Sequence, residues 1–163
     1  MELEPASADG LYSRFGVMAF ADASAAFANF HRALKPSGRL GFVCWRSLAE
    51  NELDLMPLRA AGLEAMANDT PFSFADPAHI RTVLEGAGFS DTAIEAHDEM
   101  VSSGGLEAMA EVLLAVGPLG RILRENPELR AAAEPSVRAT LATRDVGGHI
   151  ALKAATWIVT ARA

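Results

Sequence analysis

The stretch Leu34-Lys35-Pro36-Ser37-Gly38-Arg39-Leu40-Gly41-Phe42-Val43-Cys44-Trp45 decides the fold class. Its first part is a turn: Pro36 fixes φ and ends any helix before it, and Gly38 supplies the conformations a tight turn needs. Its second part, Arg39 to Trp45, is an apolar run with too few polar residues for a strand with one wet face. It reads as buried on both faces, the environment of a strand in a parallel sheet covered by helices.

Upstream of this turn, Asp22 offers an N-cap, and Phe27, Phe30 and Leu34 fall on one helical face. Before that helix, Gly10 to Ser13, with an extension to Phe15, suits a short buried strand after Asp9, and Gly16 to Phe20 is an apolar loop. Downstream, the spacing predicts a helix from about Asn51 to Met66 with Leu55, Leu58, Leu63 and Met66 inward. A loop over Asp69 to Ala75 carries Phe72 and Phe74. The next helix is capped by Asp76, starts at Pro77, carries the stripe Ile80, Val83, Leu84 and Ala87, and stops at Gly88 before Phe89. An alternating strand follows over Thr92 to His97.

Leu106, Met109, Leu113 and Val116 define another amphipathic helix, ended by Gly117-Pro118. Helix continues from Leu119 to about Leu141, with breaks expected near Asn126-Pro127 and at Pro135. Ala151 to Ala161 closes the sequence as a strand buried at Trp157-Ile158-Val159. Strands and helices alternate early, which indicates an α/β fold. The helical stretch over about 99–149 is too long for a plain connection and reads as an insertion within a single domain, 1–163.

The composition narrows the classes of partner. The chain has 163 residues, half of them hydrophobic and 21% charged, with a formal net charge of −7. That balance lacks the basic field on which nucleic-acid binding and attraction to anionic lipid depend. No run is long enough to span a bilayer, and the start Met1-Glu2-Leu3-Glu4-Pro5 is acidic where a secretory leader is basic and then apolar. A cytoplasmic protein with a small-molecule or protein partner is the expectation. Cys44 is the single cysteine and, inside its apolar run, reads as a small buried hydrophobe. His31, His79, His97 and His149 show no metal-ligand spacing, so no metal is expected and no catalytic base can be named.

Two blocks carry a resemblance. Ala8-Asp9-Gly10-Leu11-Tyr12-Ser13-Arg14-Phe15-Gly16-Val17-Met18-Ala19-Phe20 resembles a block of a bacterial branch of class I S-adenosylmethionine-dependent methyltransferases. In that branch an Asp-led helix, a Leu-x-Pro-Gly-Gly-Arg-Leu turn and a strand ending in Val-x-Trp follow. Here these are Asp22 to Leu34, Leu34 to Leu40 with Ser37 replacing the first glycine, and Val43-Cys44-Trp45.

The resemblance implies a Rossmann-like sheet of order 3-2-1-4-5-7-6 with its last strand antiparallel. The chain would supply the C-terminal half, strands four to seven, with the helical insertion before the last strand. Met1 to Ser7 resembles the loop before the fourth strand. The family's glycine-rich cofactor loop has no counterpart before Asp9, so an internal start or a truncated form is expected.

The resemblance also implies sites. Ser13, Arg14, Phe15 and Gly16 would line the methionine end of S-adenosylmethionine, or they form only a strand-to-helix turn. Met18, Phe20 and Trp45 would face the acceptor, although Trp45 equally suits a core. Phe72 and Phe74 would cap an apolar substrate or anchor their loop. The function implied is methyl transfer to a small-molecule acceptor, with cofactor binding incomplete in this chain alone. The alternative is an inactive remnant or a dimerising interaction protein, paired through the exposed edge of the first strand.

Overall fold

The computed structural model describes residues 4–163, so Met1 to Leu3 of the expected opening loop lie outside the described residues. Its strands and helices are β1 (Ala8–Arg14), α1 (Ala23–Ala33), β2 (Leu34–Trp45), α2 (Glu52–Ala60), α3 (Pro77–Gly86), β3 (Ser90–Gly104), α4 (Leu106–Ala115), α5 (Gly117–Glu125), α6 (Arg130–Ala142) and β4 (Ile150–Arg162). The fold is mixed α/β with an open four-stranded sheet in the order β1-β2-β4-β3. β1 pairs parallel with β2, from Gly10 opposite Arg39 to Arg14 opposite Val43. β4 runs antiparallel to β2, from Arg39 opposite Arg162 to Trp45 opposite Thr156. Two side-chain bonds fix the sense of β3 against β4. Thr156 Oγ1 donates to the carbonyl of His97 and Ser102 Oγ to that of Ile150, so one strand rises as the other falls.

The chain divides into two compact units. The first runs to Ser47 and adds Thr70–His97 and Ala155–Ala163. Its core forms because β2 alternates: Leu40, Phe42 and Cys44 are buried on one face. Gly41, Val43 and Trp45 on the other face are only half-buried, which corrects the expectation of a strand closed on both sides. Asp22 caps α1 by accepting the Ala25 N–H at 2.9 Å, and Asp76 caps α3 by accepting that of Ala78 at 2.8 Å. Phe27 of α1 is fully buried and meets the rings of Phe30, Phe42 and Phe74. Ile80, Val83 and Leu84 of α3 join that core, and Phe89 packs beyond Gly88, whose φ is +97°. Burial pushes the Cys44 thiol up to about 12, so it is an inert part of the same core.

The expected turn at Leu34 to Gly38 is taken up into the start of β2, where the left-handed residue is Ser37, with φ +66°, and not Gly38. Gly38 serves close approach instead, since a Cβ there would meet the carbonyl oxygen of Lys35 at 2.8 Å. Ladder bonds reach through the turn: Ser37 N–H donates to the carbonyl of Ala163, and Ala163 N–H to that of Gly38.

The second unit comprises Leu48–Asp69 and Asp98–Ala154. Leu58, Met109, Leu113, Leu114, Leu119, Ile122, Val137 and Leu141 are its buried centre. Three sequence expectations change here. The helix expected to reach Met66 ends at Ala60, because Gly62 turns left-handed, and Met66 is 43% exposed. Pro135 lies inside α6 without breaking it, since Ala133, Val137 and Leu141 hold the helix to the core. β3 runs to Gly104, well past His97, because β4 pairs with it although its side chains stay mostly exposed.

Asp54 of α2 is buried, and burial pushes its carboxyl up to about 6. The folded value lies above the unfolded one, so folding favours the protonated form. That stabilisation is complete below the unfolded value and is lost as pH rises through about 6. Asp54→Asn is therefore expected to flatten the pH dependence and to be more stable than the wild type by up to about 3 kcal/mol near neutral pH. Urea unfolding of both proteins on either side of that pH checks this. By the same method, Phe27→Ala is expected to lose about 3–5 kcal/mol.

Candidate functional site

β1 and β2 are parallel, so their carboxyl ends open to the same side, the side where open α/β sheets bind ligands. Phe15 follows the last residue of β1. Its N–H donates to the carbonyl of Val43 at 3.0 Å, one more rung of the ladder, while its φ is +56°. A left-handed phenylalanine costs about 1–2 kcal/mol. The ring stacks on Trp45 at the end of β2, with centroids 4.3 Å apart and planes 24° apart. Such a stack contributes about 0.5–1.5 kcal/mol beyond burial, enough with the ladder bond to offset the strain. Strain of this kind gathers at functional positions.

Gly16 then opens the 3-10 turn Val17–Ala19. A Cβ on Gly16 would stand 3.0 Å from Ser13 Oγ, so the bare glycine leaves that hydroxyl uncrowded. Ser13 is half-buried and Arg14 exposed, as the alternation of β1 requires. Met18 is buried, and its sulfur accepts the Trp45 N–H at 3.4 Å. Its carbonyl accepts from Ser73 Oγ at 3.3 Å, which ties the 72–74 loop to the same turn.

Phe15, Met18, Ala19, Trp45, Thr70 and Pro71 together line a depression of about 300 Å³. None of these side chains is ionisable, and Thr70 supplies a hydroxyl, so the surface suits an apolar or aromatic group. Of the residues singled out in the sequence, the fold brings Phe15, Met18 and Trp45 to this depression, with Ser13 and Gly16 beside it. Four lie elsewhere: Arg14, at the end of β1, is exposed and does not line the depression, and three are phenylalanines. Phe20 is 40% exposed and meets the edge of Phe30. Phe74 is in the core against Phe27 and Phe42, with His79 at its edge, and Phe72 is buried. Thr70 and Pro71 also line the depression, although nothing in their loop's sequence but its aromatics points to a site.

His31 and His79 each pack against a phenylalanine ring. His31 meets Phe89 edge-on, at 5.1 Å between ring centroids. Among the described residues, no group of three or more His, Cys, Asp or Glu is placed to hold a metal ion. No helix among them is long and apolar enough to cross a membrane.

No protein-family model matches the chain. No curated protein matches it either. Solved structures do. A candidate methyltransferase from Bacillus halodurans C-125 is 14% identical, with a TM-score of 0.56 over 99% of this chain and 67% of that one. The YcgJ protein of Bacillus subtilis is 13% identical, with a TM-score of 0.53 over 99% and 66%. Phosphoethanolamine N-methyltransferase 2 of Haemonchus contortus, in complex with S-adenosyl-L-methionine, is 17% identical, with a TM-score of 0.48 over 99% and 34%. The chain thus spans about two thirds of the two bacterial proteins and about a third of the nematode one. At these identities the likeness to the two bacterial structures shows the fold, a methyltransferase-like Rossmann fold.

The strained residue generates a test. Phe15→Ala loses the stack and keeps the left-handed strain, whereas Phe15→Gly loses both. The glycine variant is expected to be the more stable by about 1 kcal/mol, the reverse of the usual order of these residues within a strand. Urea unfolding of the two variants measures the difference.

Proposed function

We propose that this chain is part of an S-adenosylmethionine-dependent methyltransferase acting on a small-molecule acceptor, and that alone it holds the cofactor incompletely. The observation that carries the reading is the left-handed Phe15 stacked on Trp45 at the carboxyl ends of adjacent parallel strands. In this reading β1, β2, β3 and β4 are the fourth, fifth, sixth and seventh strands of the family's sheet. The order β1-β2-β4-β3, with β4 antiparallel to β2, is what those four would give. The single domain would carry an insertion over about 99–149.

Ser13, Arg14, Phe15 and Gly16 would form the wall for the cofactor's methionine end. The fit rests on Gly16, whose missing Cβ leaves Ser13 Oγ open. When bound, the cofactor supplies an electrophilic methyl group on a sulfonium. The chain's own residues would position and exclude water: Met18 and Trp45 wall the acceptor, with Thr70 and Pro71 at the rim. Phe20, Phe72 and Phe74 would act behind that wall by fixing the turn and the loop. No metal enters the reading, and a cytoplasmic location goes with it.

The second reading, a dimerising interaction protein or inactive remnant, is favoured by the free edge of β1. Tyr12 there is 73% exposed, beside a groove of about 460 Å³ that also takes in Leu11, Arg39 and Arg162. An unpaired strand edge invites a second copy. Calorimetric titration of the chain with S-adenosylmethionine, with its oligomeric state recorded alongside, separates the readings. Weak, saturable binding that Gly16→Val abolishes is expected. A folded sample that gives no heat with the cofactor would contradict the methyltransferase reading and leave the dimer.

A further inference from the structure

We propose that the second, helical unit carries a binding site of its own for a small amphipathic anion: a carboxylate or phosphate monoester on an apolar chain. The inference goes beyond the methyltransferase reading and does not depend on it. Within this unit lies a cavity of about 770 Å³, a size that takes a small organic ligand. Leu55, Met56 and Ala60 of α2 give it an apolar wall. Three cations reach it from three different segments: Arg59 on α2, Arg144 just beyond α6, and Lys153 on β4.

The carboxylates around these cations brace them. Glu52 lines the cavity, but both its oxygens are engaged. Oε1 pairs with Arg144 at 2.7 Å, and Oε2 accepts the backbone N–H of Lys153 at 3.3 Å. Glu64 holds Arg59 through Nε at 2.9 Å and Nη2 at 3.1 Å, and Asp98 lies 3.5 Å from Lys153 Nζ. Neither Glu64 nor Asp98 lines the cavity, and Glu50, which does, has a partner of its own. A guanidinium has five N–H donors and an ammonium three, so bracing leaves donors over for a ligand head group. An apolar chain laid on Leu55 and Met56 would bring an anionic head to Arg144 and Lys153, with the Thr140 hydroxyl at the same wall.

The probes are octanoate and octyl phosphate, with octan-1-ol and octylamine as controls of the same chain length, each titrated into the full chain below micelle formation. Calorimetry gives affinity, and the methyl resonance of Met56 gives location. Both anions are expected to saturate, to weaken with added salt and to shift Met56, with the more highly charged phosphate the tighter. The alcohol and the amine are expected to bind about tenfold more weakly or worse, as loss of a charge-assisted contact predicts. Lys153→Gln is expected to weaken octanoate by about tenfold, and Lys153→Arg to restore it. Since the Lys153 side chain is 42% exposed, these variants should keep the fold, which the unperturbed spectrum of the remaining methyls checks. Three results would each overturn the proposal: no saturation by either anion, octan-1-ol binding as tightly as octanoate, or anion binding that leaves Met56 unmoved.

Discussion

Everything at the candidate site depends on the parallel pairing of β1 with β2. That ladder extends one residue past β1, to the bond from the Phe15 N–H to the carbonyl of Val43. The register brings the end of β1 beside the end of β2, and so Phe15 beside Trp45. The chain then has to leave the sheet, and it does so at Phe15 itself, in a conformation a phenylalanine adopts only when its surroundings impose it. The ladder bond and the aromatic stack impose it. Gly16 and the Val17–Ala19 turn follow from that exit, and Met18 folds back to put its sulfur on the backbone N–H of Trp45.

The second constraint is the shared core beneath. Phe27, Phe42 and Phe74 come from α1, β2 and the 70–75 loop, and their rings meet one another. Because Phe74 is spent there, its loop is anchored, and the Ser73 hydroxyl reaches the carbonyl of Met18. Thr70 and Pro71 are thereby held at the rim of the depression. A residue that looks like a ligand contact in the sequence thus serves the site by fixing a neighbour.

Much of this was legible in the residues. Asp22 and Asp76 announced their helices because a cap is a local hydrogen bond written in two or three adjacent residues. The strand at Phe42 was legible from its apolar run after a turn; that at Tyr12 was legible as a strand but not as the buried one expected, since Tyr12 is 73% exposed. What was hidden depends on partners distant in sequence. β3 beyond His97 is a polar stretch held by pairing to β4, so its composition gives no strand signal. The half-open face of β2 could not be read from a run in which both faces are apolar. Phe15 and Trp45 could be named as candidates from their blocks, but a positive φ at Phe15 has no local sequence signature. Pro135 misled because a proline predicts a break, whereas the buried stripe of α6 holds the helix through it.

The candidate site therefore stands on the exit of the chain from β1, and nuclear magnetic resonance of the unmodified protein tests that exit most directly. The exit predicts cross-relaxation between the Phe15 ring and the Trp45 indole, together with the strong intraresidue amide-to-Hα contact that marks a left-handed residue at Phe15. An extended Phe15 with no contact to Trp45 would contradict it, and with it the site built upon that pair.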